Sequence, residues 1–472
     1  MYDIIVFGSD ISALTAASVS ASNGLRTCLL REDAWLPSYV QAHSSFETDP
    51  LPWTGFHAGG VADVLLDKLG ISLPVRFSDP SCQIVLPRHR VSLSRDHAQT
   101  AADMTRAFPG FSREITTLIN TLQKGHPLFF DDSGYALRSI SSFSERLREA
   151  VTLPRRALRL SSFRRTIEGL SHNPALSTLF GVHEAFFSHF YSSAIPPLPK
   201  GTEALGMSQM GVAEIMGGNK VLYEELLRCV TARGGRHLSE CNAVNCSLNN
   251  TIEITVSSPA GEQTVTAPRL ILSCPSPLFD HIAVHNPSFA KKAHSLSEKA
   301  AWWYPFTVHL AVRERSLPEQ MGRHVLIVDD MGQSLLNGNA VHLYTAKTGT
   351  DNGDVTLHIT ALVDFLPHAG NSDRLHVITR SMHDTVSAVL PFLDEGTIYC
   401  DFASSIAHAH MTAHTRAPRF PISGTGARGT LISQKTPFKN IFLTGPAIIP
   451  CCGFEGDIAS GMHAAYLAGG IY

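Results

Sequence analysis

Residues 3–31 open with Asp3-Ile4-Ile5-Val6-Phe7-Gly8-Ser9-Asp10-Ile11-Ser12-Ala13 and close with Arg26-Thr27-Cys28-Leu29-Leu30-Arg31. The apolar run 3–7 fits a buried parallel strand. Gly8-Ser9-Asp10 forms a tight turn. Residues 11–23 are small and spaced as a helix, and Gly24 suits a helix C-terminal stop. Residues 26–30 read as a second strand. Strand, helix and strand in this order make a βαβ unit, the opening of a doubly wound, Rossmann-type α/β domain.

A dinucleotide turn carries GxGxxG: one Gly for the turn, one for close approach of the pyrophosphate, one for helix–strand packing, with the helix N-terminus facing the phosphates. The three positions here are Gly8, Asp10 and Ala13. Ala is a permitted third residue. Asp10 places a carboxylate where an anion would bind. The acid expected at the end of the second strand, for the ribose, is replaced by Arg31, with Glu32 one residue later. Two readings stay open. Asp10 caps the first helix itself, since Asp is a favoured N-cap. Or Gly8, Ser9, Asp10, Ile11, Ser12 and Ala13 form an unusual cofactor turn, with Arg31 stacking on or pairing with the ligand.

Further along, the pattern turns helical over about 94–200. Asp96 is placed to cap a helix through Arg106, another helical stretch precedes Pro154, and Leu176–Tyr191 reads as a third. Gly217-Gly218 leads a helix, 219–233, followed by alternating runs at 251–256 and 263–266 and an apolar run at 270–272. Strand-like runs recur at 306–312, 324–328, 341–344 and 355–363. Residues 441–445 are a short strand entering a Gly-rich turn, and a small-residue helix runs from about Asp457 to Leu467.

The 472 residues allow two or three domains. Hydrophobic residues at 44% and charged residues at 17% exclude a disordered chain. A formal charge of −3 gives no argument for nucleic acid. Nine scattered cysteines without a CxxC pair point away from a disulfide scaffold and a structural zinc site. With no signal-peptide pattern and no apolar run near the roughly 20 residues of a membrane span, a cytoplasmic location is expected.

Several segments, in order, resemble the FAD-dependent amine oxidase and phytoene desaturase group, which includes carotenoid desaturases and isomerases. They are Tyr2–Arg31, Asp96–Phe111, Phe180–Phe186, Met216 to Gly235 with Ala267–Pro275, and Asn440–Gly445 through Ala465. The resemblance implies a discontinuous FAD domain (1–75, 205–275 and 430–472) interleaved with a substrate domain (76–204 and 276–429) of mixed sheet plus helices. It implies FAD as hydride acceptor, an adenine contact around Val244, and flavin contacts from Gly445, Pro446, Gly453, Gly456, Asp457 and Ile458. Pro446 stands where many members carry Asp. Glu455 and Asp457 add two carboxylates at the last helix start. Asp10 and Asp457 thus stand at the two helix N-termini that the family turns toward its cofactor. Helix N-termini favour anions, so both ends could be satisfied internally, and an eroded flavin site is expected.

Other residues carry weaker signals. Cys451-Cys452 is either a reactive or redox pair beside the flavin or two small packed residues. His57, Trp302 and Trp303 could line a substrate pocket or pack in the core. His408, His410 and His414 lack metal-ligand spacing, so no metal is expected. Arg146–Arg165, basic with interleaved leucines, reads as a peripheral membrane contact, a protein-partner patch or a solvated face. Two functions follow. In one, FAD takes hydride from, or isomerises, a long apolar or polyene substrate. In the other, Asp10, Arg31 and Asp457 mark a cofactor-free or weakly binding pseudoenzyme that acts by binding a partner or as a structural protein.

Overall fold

The computed structural model describes residues 1–32, 38–41, 43–48, 50, 52–125, 165–197, 203–248, 251–287, 289–290, 302–347, 353–412, 417–421 and 432–470. Its fold is mixed α/β. A five-stranded parallel sheet runs in the order Arg236–Leu238, Thr27–Leu30, Ile4–Phe7, Leu270–Ser273, Ile441–Thr444. The first strand is central, with Val6 opposite Leu29 on one side and Ile271 on the other. Its residues are fully buried, which is why the run 4–7 is uniformly apolar rather than alternating.

The first helix, Ile11–Ser22, is buried from Ile11 to Ala21. Its Ala and Ser residues are small because other elements crowd it on several sides. Ser18 donates to Leu226 O of the helix Lys220–Ala232 at 2.8 Å. The last helix, Gly453–Gly469, approaches so closely that a Cβ at Gly461 would lie 2.3 Å from Ser12 O. Beyond this sheet lies a three-stranded meander of Asn242–Leu248, Ile252–Ser258 and Gly261–Ala267.

The second large sheet has seven strands in the order Thr397–Cys400, Tyr304–Arg313, Asp354–Val363, Ala340–Lys347, His324–Val328, Cys82–Leu86, His89–Leu93. Its pairs are antiparallel except for His324–Val328 with Cys82–Leu86, which are parallel. One face is aliphatic: Val308, Leu310, Leu343, Leu357 and Ile359 pack with Leu375 and Met382 of the helix Ser372–Ser387 and with Ile406 of the helix Phe402–Thr412. The opposite face meets the helix Pro174–Phe187, where Phe186 lies 5.8 Å from the His342 ring.

Asp96 caps its helix as the sequence predicts, accepting from Ala98 N at 2.8 Å. Two boundaries differ from expectation. The helix predicted over 176–191 ends at Phe187. The backbone then turns, because His189 N donates to Pro450 O at 2.7 Å and Phe190–Tyr191 pairs with Phe420–Pro421. The last helix starts at Gly453, a turn earlier than predicted, because 453–456 is fully enclosed and helical hydrogen bonding satisfies its backbone. The helical stretch before Pro154 and the basic residues Arg146–Arg164 fall outside the described residues. Among the described residues, no helix is long and apolar enough to cross a membrane.

Candidate functional site

The turn after the first strand is held by its own side chains. Asp10 is extended (φ −77°, ψ 170°) and is the N-cap of the first helix. Its Oδ1 accepts from Ala13 N at 2.9 Å and from the Ser12 hydroxyl. Its Oδ2 accepts from the hydroxyl of Ser273, at the end of the neighbouring parallel strand. Both carboxylate oxygens are therefore engaged, and the capping reading of Asp10 is the one observed. Ser9 Oγ accepts from Glu32 N at 3.0 Å. Arg31 lies buried in the ladder, donating from its backbone to Leu238 O and accepting from Cys241 N, each at 2.8 Å. Desolvation, with the Arg31 charge in second place, pushes the nearby His237 imidazole below its usual value.

The last helix places Asp457 inside its first turns, not at its cap, so Asp457 does not satisfy its own helix N-terminus as expected. Instead, Asp457 Oδ2 accepts from His189 Nε2 at 2.9 Å. His189 Nδ1 lies 3.2 Å from Arg419 Nη1. A guanidinium only donates, so Nδ1 accepts and the imidazole is the Nε2–H tautomer. Arg419 also donates to Ala185 O at 3.0 Å and Ala417 O at 2.9 Å. Its backbone pairs with Trp303, whose ring stacks on Tyr191 at 3.6 Å. All three charged or titratable members are buried. Burial pushes the Asp457 carboxyl up, the His189 contact opposes this, the Asp10 charge adds to it, and Arg419 lowers it.

Glu455 is fully buried and neither oxygen has a partner in hydrogen-bonding geometry. The Thr54 hydroxyl is near enough to lower its pKa without reaching that geometry, and burial, the larger effect, pushes the carboxyl up to about 7. The side chain lies on the Gly55 backbone, where a Cβ would meet Glu455 Cγ at 2.8 Å. Beside it, Trp53 stacks on Phe454 at 4.8 Å and on Phe56 at 6.1 Å.

The glycines of both motifs are explained by the chain's own packing. A Cβ at Gly8 (φ +147°) would meet Ser273 Cβ at 2.5 Å. At Gly445 it would meet Cys274 O at 2.6 Å, and at Gly453 (φ +48°) Phe187 O at 2.3 Å. At Gly456 it would meet Ile449 O at 2.2 Å. Pro446 and Ile458 are buried among these segments. Gly8, Asp10 and Gly445 converge through Ser273, and the Asp10 charge acts on Asp457.

The remaining candidates scatter. Val244 is half exposed on an edge strand of the meander. His57 is buried in the 55–60 turn, where its carbonyl accepts from Gly60 N at 2.8 Å. Trp303 joins the Arg419 cluster, whereas Trp302 packs edge-on to Phe420 at 5.5 Å. Cys451 and Cys452 are buried, with their sulfurs 3.5 Å apart. His408 bonds Thr48 at 3.3 Å and lies 4.5 Å from the Tyr39 ring. Among the described residues, no group of His, Cys, Asp or Glu side chains is arranged to hold a metal.

Sequence reasoning missed His189, Arg419 and Ser273, and also a polar row across the seven-stranded sheet. His309 pairs with His358, His358 with Tyr344, and Tyr344 with His324, all on the face opposite the aliphatic one. His342 lies one row away, with its Nε2 3.0 Å from His324 Nδ1. Burial pushes the His342 and His358 imidazoles down to about 3 and also holds His324 well below its usual value. The signal was present as His and Thr on one parity of the strands, opposite Val, Leu and Ile on the other.

At the first helix N-terminus the residues do not suit a pyrophosphate as they stand. A pyrophosphate would need the donors that Asp10 accepts from, and would meet its carboxylate. Two unit charges 4 Å apart repel by about 4 kcal/mol near a protein surface. At the first turns of the last helix, Phe454, Glu455 and Asp457 are buried, as is His189, which bonds Asp457.

No protein-family model matches the sequence, and no curated protein matches it. Solved structures do. An oxidoreductase from Methanosarcina mazei superposes with a TM-score of 0.63 at 12% identity, covering 98% of this chain and 99% of its own. A putrescine oxidase variant made to redesign cofactor binding gives 0.62 at 13% identity, covering 100% and 99%. A Rab GDI from Plasmodium falciparum gives 0.52 at 11%, covering 99% and 98%. The chain shares its fold with these oxidoreductase and putrescine oxidase structures, the α/β architecture that the resemblance implied.

Proposed function

We propose that this chain uses the amine oxidase fold without flavin, and acts by binding another molecule rather than by hydride transfer. The observation that carries this is Asp10, whose two carboxylate oxygens take the Ala13 N–H and the Ser12 and Ser273 hydroxyls at the place a phosphate would need. The Asp457–His189–Arg419 cluster supports it, since the second carboxylate is also bonded within the chain. The motif glycines, which alone would favour a flavin, are each required by a backbone or side-chain neighbour within the protein. The same fold occurs in a Rab GDI as well as in proteins named as oxidases, so the architecture alone does not fix a redox role.

The desaturase reading, with hydride removal from a long apolar substrate, needs FAD and stands or falls with it. The test is a gain of binding. The Asp10→Gly/Arg31→Glu double variant repairs the local fingerprint but leaves the Asp457–His189–Arg419 cluster in place. Titrated with FAD, it is expected to show no saturable binding by flavin fluorescence. Stoichiometric binding by this variant would mean that the obstruction is only local and would restore the oxidoreductase reading.

A further inference from the structure

The pair Cys451-Cys452 is not absorbed by that reading. Adjacent side chains usually diverge: they alternate across a strand and are rotated about 120° in a 3₁₀ turn. Here they converge. The tight turn Pro450–Cys452 and the positive φ of Gly453 bring the sulfurs to 3.5 Å, one thiol donating to the other. The turn is clamped on both sides. Pro450 O accepts from His189 N at 2.7 Å, and Gly453 abuts Phe187 O. Gly456, one helical turn on, would place a Cβ 3.2 Å from Cys452 Cβ.

We infer that Cys451-Cys452 is a two-electron oxidation site that a hydroperoxide converts to a vicinal disulfide. Cys451 is the more accessible of the two, at 8% exposure against 3%. Its thiolate attacks one peroxide oxygen, forming a sulfenic acid and releasing, after protonation, water or an alcohol. The Cys452 sulfur, losing its proton, displaces the sulfenic hydroxyl as a second water. The two sulfurs are oxidised by two electrons and the peroxide is reduced by two. Closure requires the sulfurs to move from 3.5 Å to a bond of about 2.05 Å. The movement stays within the turn, and it pulls on the Pro450 carbonyl that anchors His189. This inference concerns the thiols alone and does not depend on whether flavin binds.

Burial pushes Cys28 and Cys246 up to about 12, and burial with Asp401 and Asp394 pushes exposed Cys400 up to about 11. The test uses the full chain treated with hydrogen peroxide, then alkylated, digested and analysed by mass spectrometry. The expected product is a peptide containing residues 451–452 lighter by two hydrogens, unalkylated, and restored to double alkylation by dithiothreitol. In Cys452→Ser, the reaction should stop at a Cys451 sulfenic acid that dimedone traps. If both cysteines remain fully alkylatable while Cys400 is oxidised, or if Cys451 goes to sulfinic acid in the native chain, the assignment is wrong. The native-chain measurement decides the matter even if the variant fails to fold.

Discussion

Replacing Asp10 by Ala should destabilise the protein by about 2–3 kcal/mol. Losing an Asp N-cap costs about 1 kcal/mol. The Ser12 and Ser273 hydroxyls also lose a charged acceptor, and bonds to charged groups contribute about 1.5–3 kcal/mol each. Asp10 is partly exposed, so water takes up part of that loss. Removing Asp10 also relieves its repulsion of Asp457, a smaller gain in the opposite direction. Asp10→Asn keeps an oxygen for the Ala13 N–H and should cost less than half as much. The assay is denaturant unfolding, comparing midpoints at unchanged slope. The opposite outcome is informative. If Asp10 were a leftover charge facing a phosphate cradle, Asp10→Ala would be neutral or stabilising, and the reasoning would be refuted.

Arg419→Met should lower stability by about 3–5 kcal/mol, the usual result of removing one member of a buried charged cluster, and thermal unfolding would show it. Gly456→Ala should cost at least about 2 kcal/mol, because its Cβ would lie 2.2 Å from Ile449 O; an unchanged midpoint would mean that the glycine serves a ligand instead. Burial pushes the Glu455 carboxyl up to about 7 in the folded chain, from an ordinary value of 4.5. Its raised pKa makes the folded state bind the extra proton, so its contribution is fully present below about 4.5 and is lost as pH rises to about 7. Glu455→Gln should therefore be more stable than the native chain at pH 8, by about 3 kcal/mol, and nearly equal to it at pH 4. Equal differences at the two pH values would contradict the burial of this carboxyl.

What was legible in the sequence was what neighbouring residues decide. The opening strand, turn and helix lie within 30 residues, and the Asp10 cap reaches only three residues along the chain. The partner of Asp457 was not legible, because His189 is 268 residues away, and Arg419 is 230 from His189. For the same reason the carboxylate of Asp457 was read as a cap rather than as part of a buried cluster. The glycines carry a second constraint that the sequence did not show: Gly8, Gly453 and Gly456, read as places for a ligand to approach, are also approached by Ser273, Phe187 and Ile449. The polar row His309–His358–Tyr344–His324 depends on the register of separate strands, which a run-by-run reading does not supply.

The most direct measurement is the flavin-to-protein ratio of the full chain, purified from cells supplied with riboflavin and read from its visible absorbance and from flavin released on denaturation. A ratio near zero, unchanged after incubation with excess FAD, is the result predicted by the proposal that Asp10 takes the donors a phosphate would need. A yellow protein with close to one flavin per chain would contradict it.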